Sequence, residues 1–512
     1  MTLTGTNFGP ANNGEASASY GSFNIVSCTV SGHTEMLCTT VAGKGKELQW
    51  SVTVGGQNPA TQYTDTLMNY ALPTITSTVV TGGGSMGTGG ASTIDIVGTN
   101  FGPSCSDNCV TVSYISTGPM SSSYPGAGTI TCNVVDTGHV KLLCNTVAGV
   151  GIDFGWIVTV AVQASSSFAS TIKYATPTFT AISGAATAGS TTTLGNIAIV
   201  LTGTNFGPAG SNVQVYYGPN PSGNTGKYTA SGCTVDDQQT ITCNTVPGVG
   251  TNLKWMVASD APGIVLLGAS STTDYNAPVL DSLSGDAVAA GGTTTAGGSA
   301  ITLTGSNFGP AFSDGSYDDA DLVVKYGPSS SQKYTATTCK VISQTEITCE
   351  TTAGIGGSLN WQVSLASSDS SFSTATTAYL VPSVSGFIDG SYTDINGVSG
   401  TSKIVASTLG GDKLVIQGSE FGPAGHTEVS ATYGTDGTGR TATGCLIETL
   451  SNNNRIVVCE YIAGVGGNLK WKITIGGQIS TASTDTVKYE TPAITSISGT
   501  AVGEYSKRRS GT

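Results

Sequence analysis

The sequence predicts an all-β protein in which β-sandwiches follow one another in tandem and form a stiff rod. Three features recur together five times, about every 100 residues: a glycine-phenylalanine-proline turn, a pair of cysteines and a single tryptophan. Self-similarity at a fixed period is typical of arrays of one structural unit. The turns occupy residues 5–10, 98–103, 203–208, 305–310 and 418–423.

The cysteines predict one disulfide in each unit. The predicted pairs are Cys28/Cys38, Cys132/Cys144, Cys233/Cys243, Cys339/Cys349 and Cys445/Cys459. Cys105 and Cys109 form an extra pair in the second unit, which we interpret as a staple of the loop after Pro103, with a free reactive pair as the alternative. Regular disulfides indicate secretion or the cell surface. The pairs are not CxxC and the chain has only 3 histidines, so zinc binding is disfavoured.

Short strands broken by glycine turns fill each unit, with no sustained helical period. In the fourth unit, residues 301–304 and 359–363 alternate apolar and polar side chains, which directs Trp361 into the core. The other units place a core tryptophan at the same point: Trp50, Trp156, Trp255 and Trp471. Short strands with turns about every 8–12 residues indicate immunoglobulin-type antiparallel sandwiches.

Each unit ends in a tyrosine that is followed three residues later by a proline, as from Tyr174 to Pro177. This pattern predicts repeats at residues 1–72, 73–176, 177–277, 278–381 and 382–491. Residues 492–512 then hold the first strand of a following repeat or an exchanged strand, with a basic tail. Joints this short leave little freedom, so we expect the array to be rigid. Glycine- and threonine-rich inserts, the longest at 386–411, are expected to be exposed loops.

The quoted residues resemble the IPT/TIG family of immunoglobulin-like domains. The matching pattern is G-x-N-F-G-P, a strand ending in Tyr-Gly, the cysteine hairpin, A-G-x-G and then L-x-W; the fifth unit departs from it at Glu420. This cysteine-containing variety resembles arrays in surface proteins of algae and other protists, and some receptor ectodomains. The resemblance implies the fold and the repeat architecture, and it implies neither catalytic residues nor a cofactor. DNA-binding members of the family carry basic loops that have no match here.

Composition restricts the partners. Charged residues make up 10% of the chain, which has 71 glycines and a net charge of −13, so nucleic acid is an unfavourable partner. The sequence contains neither a membrane-spanning run nor a secretory signal. It also contains no N-glycosylation acceptor, which fits either avoidance of bulky glycans on packed surfaces or a prokaryotic origin. The threonine-rich loops offer hydroxyl groups for O-linked glycans.

Few residues are candidates for chemistry. His33, His139 and His426 have no serine or cysteine partner in a recognisable motif, so an enzyme is not expected. One acidic cluster, formed by Asp314, Asp318, Asp319 and Asp321, has oxygen ligands suited to calcium. Its spacing matches no known calcium loop, and a solvated loop is the favoured interpretation. We therefore predict no catalytic, cofactor or metal site.

Two functions follow from these features. The first is a structural subunit of an extracellular filament or cell-surface fibre, whose charge-poor surface suits self-association or lateral packing. The second is an adhesin or receptor ectodomain whose loops bind glycans or proteins. An atypical loop in one unit would favour the second, and the fifth unit's insert is the nearest candidate.

The first and last segments suggest a way for subunits to join. The first unit begins at Met1 on the strand before Asn7, and residues 492–498 repeat the strand that opens the other units. Either both neighbouring repeats are missing because the chain is part of a longer array, or one subunit lends this strand to the next. The basic run 507–509 fits a processing site or a simple tail.

Overall fold

A computed structural model describes residues 1–25, 27–58, 67–116, 128–184, 190–211, 213–221, 226–258, 265–267, 272–311, 321–328 and 331–498, and in the strand Cys105–Ser116 it leaves the side chains of residues 106–109 undescribed. The described chain is all-β, apart from one turn of 3₁₀ helix at Asp286–Val288. It divides into two compact units, Met1–Pro247 with Thr251–Asp274, and Gly248–Gly250 with Tyr275–Thr512. The all-β fold class predicted from the sequence is confirmed.

Most strands of the first two repeats are short, because glycine-rich turns interrupt them, and β9 is the long exception. The first repeat contains β1 (Thr2–Thr4), β2 (Ala16–Tyr20), β3 (Phe23–Asn24), β4 (Ser27–Gly32), β5 (Glu35–Thr39) and β6 (Trp50–Val54). The second contains β7 (Thr74–Val80), β8 (Thr93–Thr99), β9 (Cys105–Ser116), β10 (Gly128–Val134), β11 (Lys141–Asn145), β12 (Phe154–Val160), β13 (Gln163–Ala164) and β14 (Phe168–Ser170).

The third and fourth repeats follow the same order. The third contains β15 (Thr178–Gly184), β16 (Ser190–Thr191), β17 (Ala198–Thr204), β18 (Gln214–Gly218), β19 (Tyr228–Thr229), β20 (Ser231–Asp237), β21 (Thr240–Asn244), β22 (Lys254–Ala258), β23 (Val265–Leu267) and β24 (Asp274–Tyr275). The fourth contains β25 (Val279–Ser284), β26 (Ala300–Ser306), β27 (Leu322–Gly327), β28 (Tyr334–Thr335), β29 (Thr337–Ser343), β30 (Glu346–Glu350), β31 (Leu359–Leu365), β32 (Ser368–Asp369) and β33 (Thr376–Thr377).

The fifth repeat has additional strands from its long insert. It contains β34 (Ser383–Ile388), β35 (Gly390–Thr393), β36 (Ser399–Ser402), β37 (Val405–Ala406), β38 (Lys413–Ser419), β39 (Val429–Gly434), β40 (Arg440–Thr441), β41 (Thr443–Thr449), β42 (Arg455–Glu460), β43 (Lys470–Ile475), β44 (Gln478–Ile479) and β45 (Lys488–Tyr489).

Two antiparallel sheets face each other in the fourth repeat. One has the order β25-β26-β30-β29, and the other runs β28-β27-β31-β32 with β33 beside β31. The first of these orders recurs as β15-β17-β21-β20 in the third repeat, and as β34-β38-β42-β41 within the larger sheet of the fifth. In the second repeat, long strand β9 pairs with both β10 and β12, so the two sheets are continuous.

The core of each repeat is built around its tryptophan. Trp361 is fully buried and stacks on Tyr326 with ring centroids 4.1 Å apart. The same pairing of strand neighbours recurs at Tyr217–Trp255, 4.3 Å, and Tyr433–Trp471, 4.4 Å. The period-2 alternation therefore places the tryptophans where the sequence analysis expected them.

Five intradomain disulfides close the cysteine hairpins. They join Cys28 to Cys38, Cys132 to Cys144, Cys233 to Cys243, Cys339 to Cys349 and Cys445 to Cys459. In each case the two cysteines lie on adjacent antiparallel strands, with Cα atoms 4.1 to 4.6 Å apart. Cys105 is disulfide-bonded, so the alternative of a free reactive thiol is wrong at this residue. The side chain of Cys109, its predicted partner, lies outside the described residues.

The insert of the fifth repeat is not simply an exposed loop. Strands β35 and β36 form a hairpin, and β36 pairs with β38, so the insert extends the sheet. Tyr392 is 9% exposed and packs with Val415, Ile456 and Val458 in a second small core. The expectation of an exposed loop is wrong here because the insert carries apolar side chains that bury against its own sheet.

Candidate functional site at the repeat joints

In four of the repeats a pair of tyrosines anchors the A-G-x-G loop. In the fourth repeat the hydroxyl oxygens of Tyr326 and Tyr379 are 2.7 Å apart, and Tyr379 donates to the Thr352 carbonyl at 2.6 Å. The Thr352 N–H donates to the Tyr326 hydroxyl at 2.9 Å. Burial, and then the hydrogen bond to Tyr326, raise the pKa of Tyr379 far above its ordinary value. Similar hydroxyl pairs occur at Tyr20/Tyr70, Tyr114/Tyr174 and Tyr433/Tyr489.

The variable residue of this loop contacts the next sandwich. Ile355, in the A-G-x-G loop of the fourth repeat, is 3% exposed and belongs to the hydrophobic core of the fifth repeat. A Cβ on Gly422, in the turn of the fifth repeat, would overlap Ile355 Cγ2. Val150 and Gly207 make the same contact between the second and third repeats, where an added Cβ would lie 2.6 Å from Val150 Cγ1. The glycine of the turn therefore leaves space for a side chain of the preceding repeat.

A glutamine makes the second recurring contact of the joint. Gln478 Nε2 donates to the Tyr379 carbonyl at 2.8 Å, and Gln163 Nε2 donates to the Tyr70 carbonyl at 2.8 Å. Each glutamine lies just after a tight hairpin turn, and each carbonyl belongs to the tyrosine that precedes the linker. The hydrogen bond thus ties the hairpin of one repeat to the end of the repeat before it.

The asparagine of the turn holds the linker. Asn100 Nδ2 donates to the Leu72 carbonyl at 2.9 Å, and Asn205 and Asn307 donate at 3.1 Å to the residue before the linker proline. These asparagines have φ between 61° and 62°, a left-handed conformation that asparagine tolerates well. These contacts give the turn a structural role in holding the linker.

Glu420 replaces this asparagine in the fifth repeat and makes a different contact. A carboxylate has no N–H to donate. Glu420 Oε2 instead accepts hydrogen bonds of 2.8 Å from both the N–H and the hydroxyl of Thr295, in the fourth repeat. Thr295 is 8% exposed. The departure from the sequence pattern therefore gives this joint its own polar contact.

Charged groups also meet at the joint of the fourth and fifth repeats. Lys333 Nζ lies 2.8 Å from Glu428 Oε1. Burial, and then the positive charge of Lys333, lower the pKa of His426.

Two clefts open at joints: one of about 410 Å³ beside Glu420 and Arg455, and one of about 110 Å³ beside Lys44 and His139. The sequence analysis did not identify any of these residues as part of a joint.

The other candidates have structural positions or lie outside the described residues. The carbonyls of His33 and His139 accept hydrogen bonds of 3.0 Å from the N–H groups of Phe8 and Phe101, so both histidines belong to hairpin turns beneath the phenylalanine. Asp314, Asp318 and Asp319, three of the four residues of the acidic cluster, lie outside the described residues. Among the residues that the structure describes, no group of three His, Cys, Asp or Glu side chains could hold a metal ion.

Comparison with known proteins identifies the family of the repeat. Residues 291–379 match the model of the IPT/TIG domain. The matched residues lie in the fourth repeat, and the other repeats share its turn, its disulfide and its core tryptophan. A comparison with curated proteins found no match.

Solved structures with tandem domains are also similar to this chain. They include the extracellular region of plexin A4 (13% identity, 93% of this chain and 41% of that one, TM-score 0.20) and invasin, a bacterial integrin-binding protein (12%, 86% and 84%, TM-score 0.20). The Escherichia coli adhesin FdeC is similar at 13% identity, with 62% of this chain and 97% of that one covered and a TM-score of 0.17. The chain spans less than half of the plexin chain. At these TM-scores none of the likenesses carries an argument about function.

Proposed function

We propose that this protein is a structural subunit of an extracellular filament or cell-surface fibre. The observation that carries the proposal is the joint, in which Ile355 of one sandwich is buried in the core of the next. A buried side chain and a carbonyl hydrogen bond at the same joint resist both bending and rotation. Joints of this kind suit a protein that transmits force or keeps a fixed length, and the predicted rigidity of the array belongs to this proposal.

The cysteine chemistry supports a location outside the cell. Disulfides persist in oxidising compartments and are rare in the cytosol, and the structure contains five of them within the described residues. No helix in the described part of the chain is long and apolar enough to cross a membrane. We include O-linked glycans on the threonine-rich loops and a non-enzymatic role in the proposal.

Small-angle scattering of the full chain tests the role of the joint. Wild-type protein should give a rod-like profile, and Ile355→Ser should give a broader distribution of distances because the buried contact is lost. Val465→Ser is the matched control, since Val465 holds the same place in the fifth repeat and is 68% exposed. A flexible profile for the wild type would refute a stiff structural subunit.

Ordered fibres in negative-stain images of native material would support the proposal, and dispersed rods would favour the second candidate.

An adhesin or receptor array is the second candidate, and the hairpin of the fifth repeat favours it. Its base is buried through Tyr392, whereas Ile395 and Val398 near its tip are 53% and 65% exposed. A rigid base that presents exposed apolar side chains suits recognition of another protein. In a cell-surface binding assay, Ile395→Asp with Val398→Asp should abolish binding at unchanged thermal stability if this candidate is correct.

A further inference from the structure

The cleft of about 410 Å³ at the joint of the fourth and fifth repeats has the size of a ligand pocket, about 300–1,000 Å³. Four polar side chains of the fifth repeat line it: Glu420, Asn453, Asn454 and Arg455. Three small apolar residues, the first two from the fourth repeat, complete its walls: Ala296, Ala353 and Pro423. A molecule bound in this cleft would therefore touch both repeats.

The cleft lies where the fifth repeat departs from the pattern of the others. Its cysteine hairpin is longer, with a sequence separation of 14 against 10 or 12 elsewhere. Asn454 stands five residues before the second cysteine, where the third repeat has Gln238. At the joint of the second and third repeats, Gln238 Oε1 contacts the hydroxyl of Thr88, which is 3% exposed. The fifth repeat lacks this glutamine, and Glu420 contacts the corresponding Thr295 instead.

The polar side chains of the cleft have unused hydrogen-bonding groups. Asn453 and Asn454 are exposed, and their side-chain amides make no hydrogen bond within the described part of the chain. Among the same residues, the Glu420 carboxylate uses only Oε2 and the Arg455 guanidinium uses only Nη1. The cleft therefore offers both donors and acceptors to a ligand.

This combination of groups favours a neutral ligand that is rich in hydroxyl groups. Glu420 and Arg455 carry opposite charges on one cleft, so a ligand of strong net charge of either sign gains little. Each hydroxyl of a sugar both donates and accepts, as the amide, carboxylate and guanidinium groups require. A peptide would need a pocket for an anchoring apolar side chain, whereas the apolar walls are small residues such as Ala353 and Pro423.

We propose that this cleft binds a neutral oligosaccharide. Asn453, Asn454 and Arg455 supply hydrogen bonds to its hydroxyl groups, Glu420 accepts from them, and Ala353 contacts its C–H groups. This binding activity goes beyond the proposed structural role and does not depend on it. Two sources share the chemistry: a separate polysaccharide, and a glycan carried by another copy of this chain.

Isothermal titration calorimetry of the full chain with defined sugars tests the proposal. The probes are the neutral sugars cellotriose, mannotriose and lactose, the anionic sugar sialyllactose, and triglycine as a peptide. We expect at least one neutral sugar to bind with a Kd below about 1 mM, and triglycine to bind more weakly. Failure of all three neutral sugars to bind, or tighter binding of triglycine, would overturn the proposal.

A double variant tests the location of the site. Asn453→Gly with Asn454→Ala removes both amides without strain, because Asn453 has φ 67°, a conformation that glycine adopts freely. Sugar affinity should fall by about tenfold or more, since at least two hydrogen bonds are lost, while thermal stability is unchanged. Thr435→Ala is the matched control, because Thr435 is an exposed polar residue of the same repeat outside the cleft. Equal affinities in the double variant and the control would overturn the site.

Glu420→Gln tests the charge balance of the cleft. The amide oxygen of glutamine can still accept hydrogen bonds from Thr295, so the joint is retained. Arg455 is then no longer opposed by a carboxylate, and the affinity for sialyllactose should rise relative to that for lactose. An unchanged ratio of the two affinities would mean that Glu420 does not face the ligand, and would overturn its role in the site.

Immobilised protein from a host without O-glycosylation distinguishes the two sources of the sugar. Retention of native, glycosylated chain, reversed by the neutral sugar that binds best, would assign the ligand to another copy. Retention of galactomannan without retention of the native chain would assign it to a separate polysaccharide. Retention of neither would contradict the proposal.

Discussion

The side chain of Ile355, in the fourth repeat, packs against Gly422 of the fifth repeat. It fits there because glycine has no side chain. The two residues lie in motifs about 70 positions apart in sequence, and neither motif is completed without the other. The A-G-x-G loop and the N-F-G-P turn are thus two halves of one joint.

Gly422→Ala should weaken this joint. The added methyl group would overlap Ile355, and we expect the fifth repeat to lose about 1–3 kcal/mol more than in the control Gly425→Ala. Both glycines have positive φ, 77° and 85°, but an added Cβ at Gly425 meets nothing within 4 Å. Hydrogen exchange of peptides from the fifth repeat measures the difference. Equal losses in the two variants would mean that the contact with Ile355 is not stabilising.

Val162→Gly should stabilise the second repeat. Val162 is 77% exposed and has φ 63°, a left-handed conformation that a β-branched residue adopts only with strain. Gly477 stands at this place in the fifth repeat. We expect a gain of about 1 kcal/mol in the free energy of unfolding, and a similar loss for the reverse change Gly477→Val. Pulse proteolysis of the two variants measures both effects, and a loss of stability in Val162→Gly would contradict the argument.

Removal of the disulfide between Cys339 and Cys349 should destabilise the fourth repeat without changing its fold. The bond closes a short loop, with a sequence separation of 10, and the chain-entropy model gives a contribution of about 3 kcal/mol. The variant with both cysteines changed to alanine should lose about that much, measured by hydrogen exchange in this repeat. Non-reducing peptide mapping of the wild type should join these two cysteines, and crosslinks between repeats would contradict the pairing.

The tyrosine pairs should make the protein sensitive to alkaline pH. The folded-state pKa of Tyr379 is raised above its unfolded value of 10, so above about pH 10 the unfolded chain releases a proton that the folded chain keeps. The stabilising contribution is fully present below pH 10 and is lost as pH rises from there toward the raised pKa. The slope is about 1.4 kcal/mol per pH unit for one such tyrosine.

Tyr379→Phe separates this effect from other alkaline changes. At pH 7 the variant should lose about 1 kcal/mol, because the hydrogen bond to the Thr352 carbonyl is removed. Between pH 10 and 11 the fourth repeat of the variant should lose less stability than that of the wild type. Parallel losses in denaturant titrations at the two pH values would show that the buried hydroxyl is not the source.

The strands, core tryptophans and disulfide pairs of each repeat follow from local sequence. Alternation with period two and hairpin spacing act over a few residues, so residues 359–363 were enough to direct Trp361 inward. The joints were missed because Ile355 and Gly422 come together only through the packing of two sandwiches. The sequence nevertheless contains a signal for the joints. The second and fifth repeats carry Val150 and Val465 at the loop position of Ile355, although a loop exposed to solvent would favour a polar residue there. The hairpin at Tyr392 was missed because the glycines and threonines of the insert were interpreted as an exposed loop, and its apolar residues were given no weight.

Glu420 gives one joint a carboxylate contact to Thr295, whereas at the joint of the second and third repeats the corresponding Thr88 hydroxyl donates to Asn205 Oδ1 at 3.5 Å. If the fifth repeat were replaced by a repeat with asparagine at the position of Glu420, Thr295 would face a different side chain. The core of the replacement repeat would be built in the same way as before. Transplanting a repeat to another position would therefore yield a well-folded sandwich with poorly matched ends. The fit between neighbouring repeats therefore depends on the residues at their boundaries.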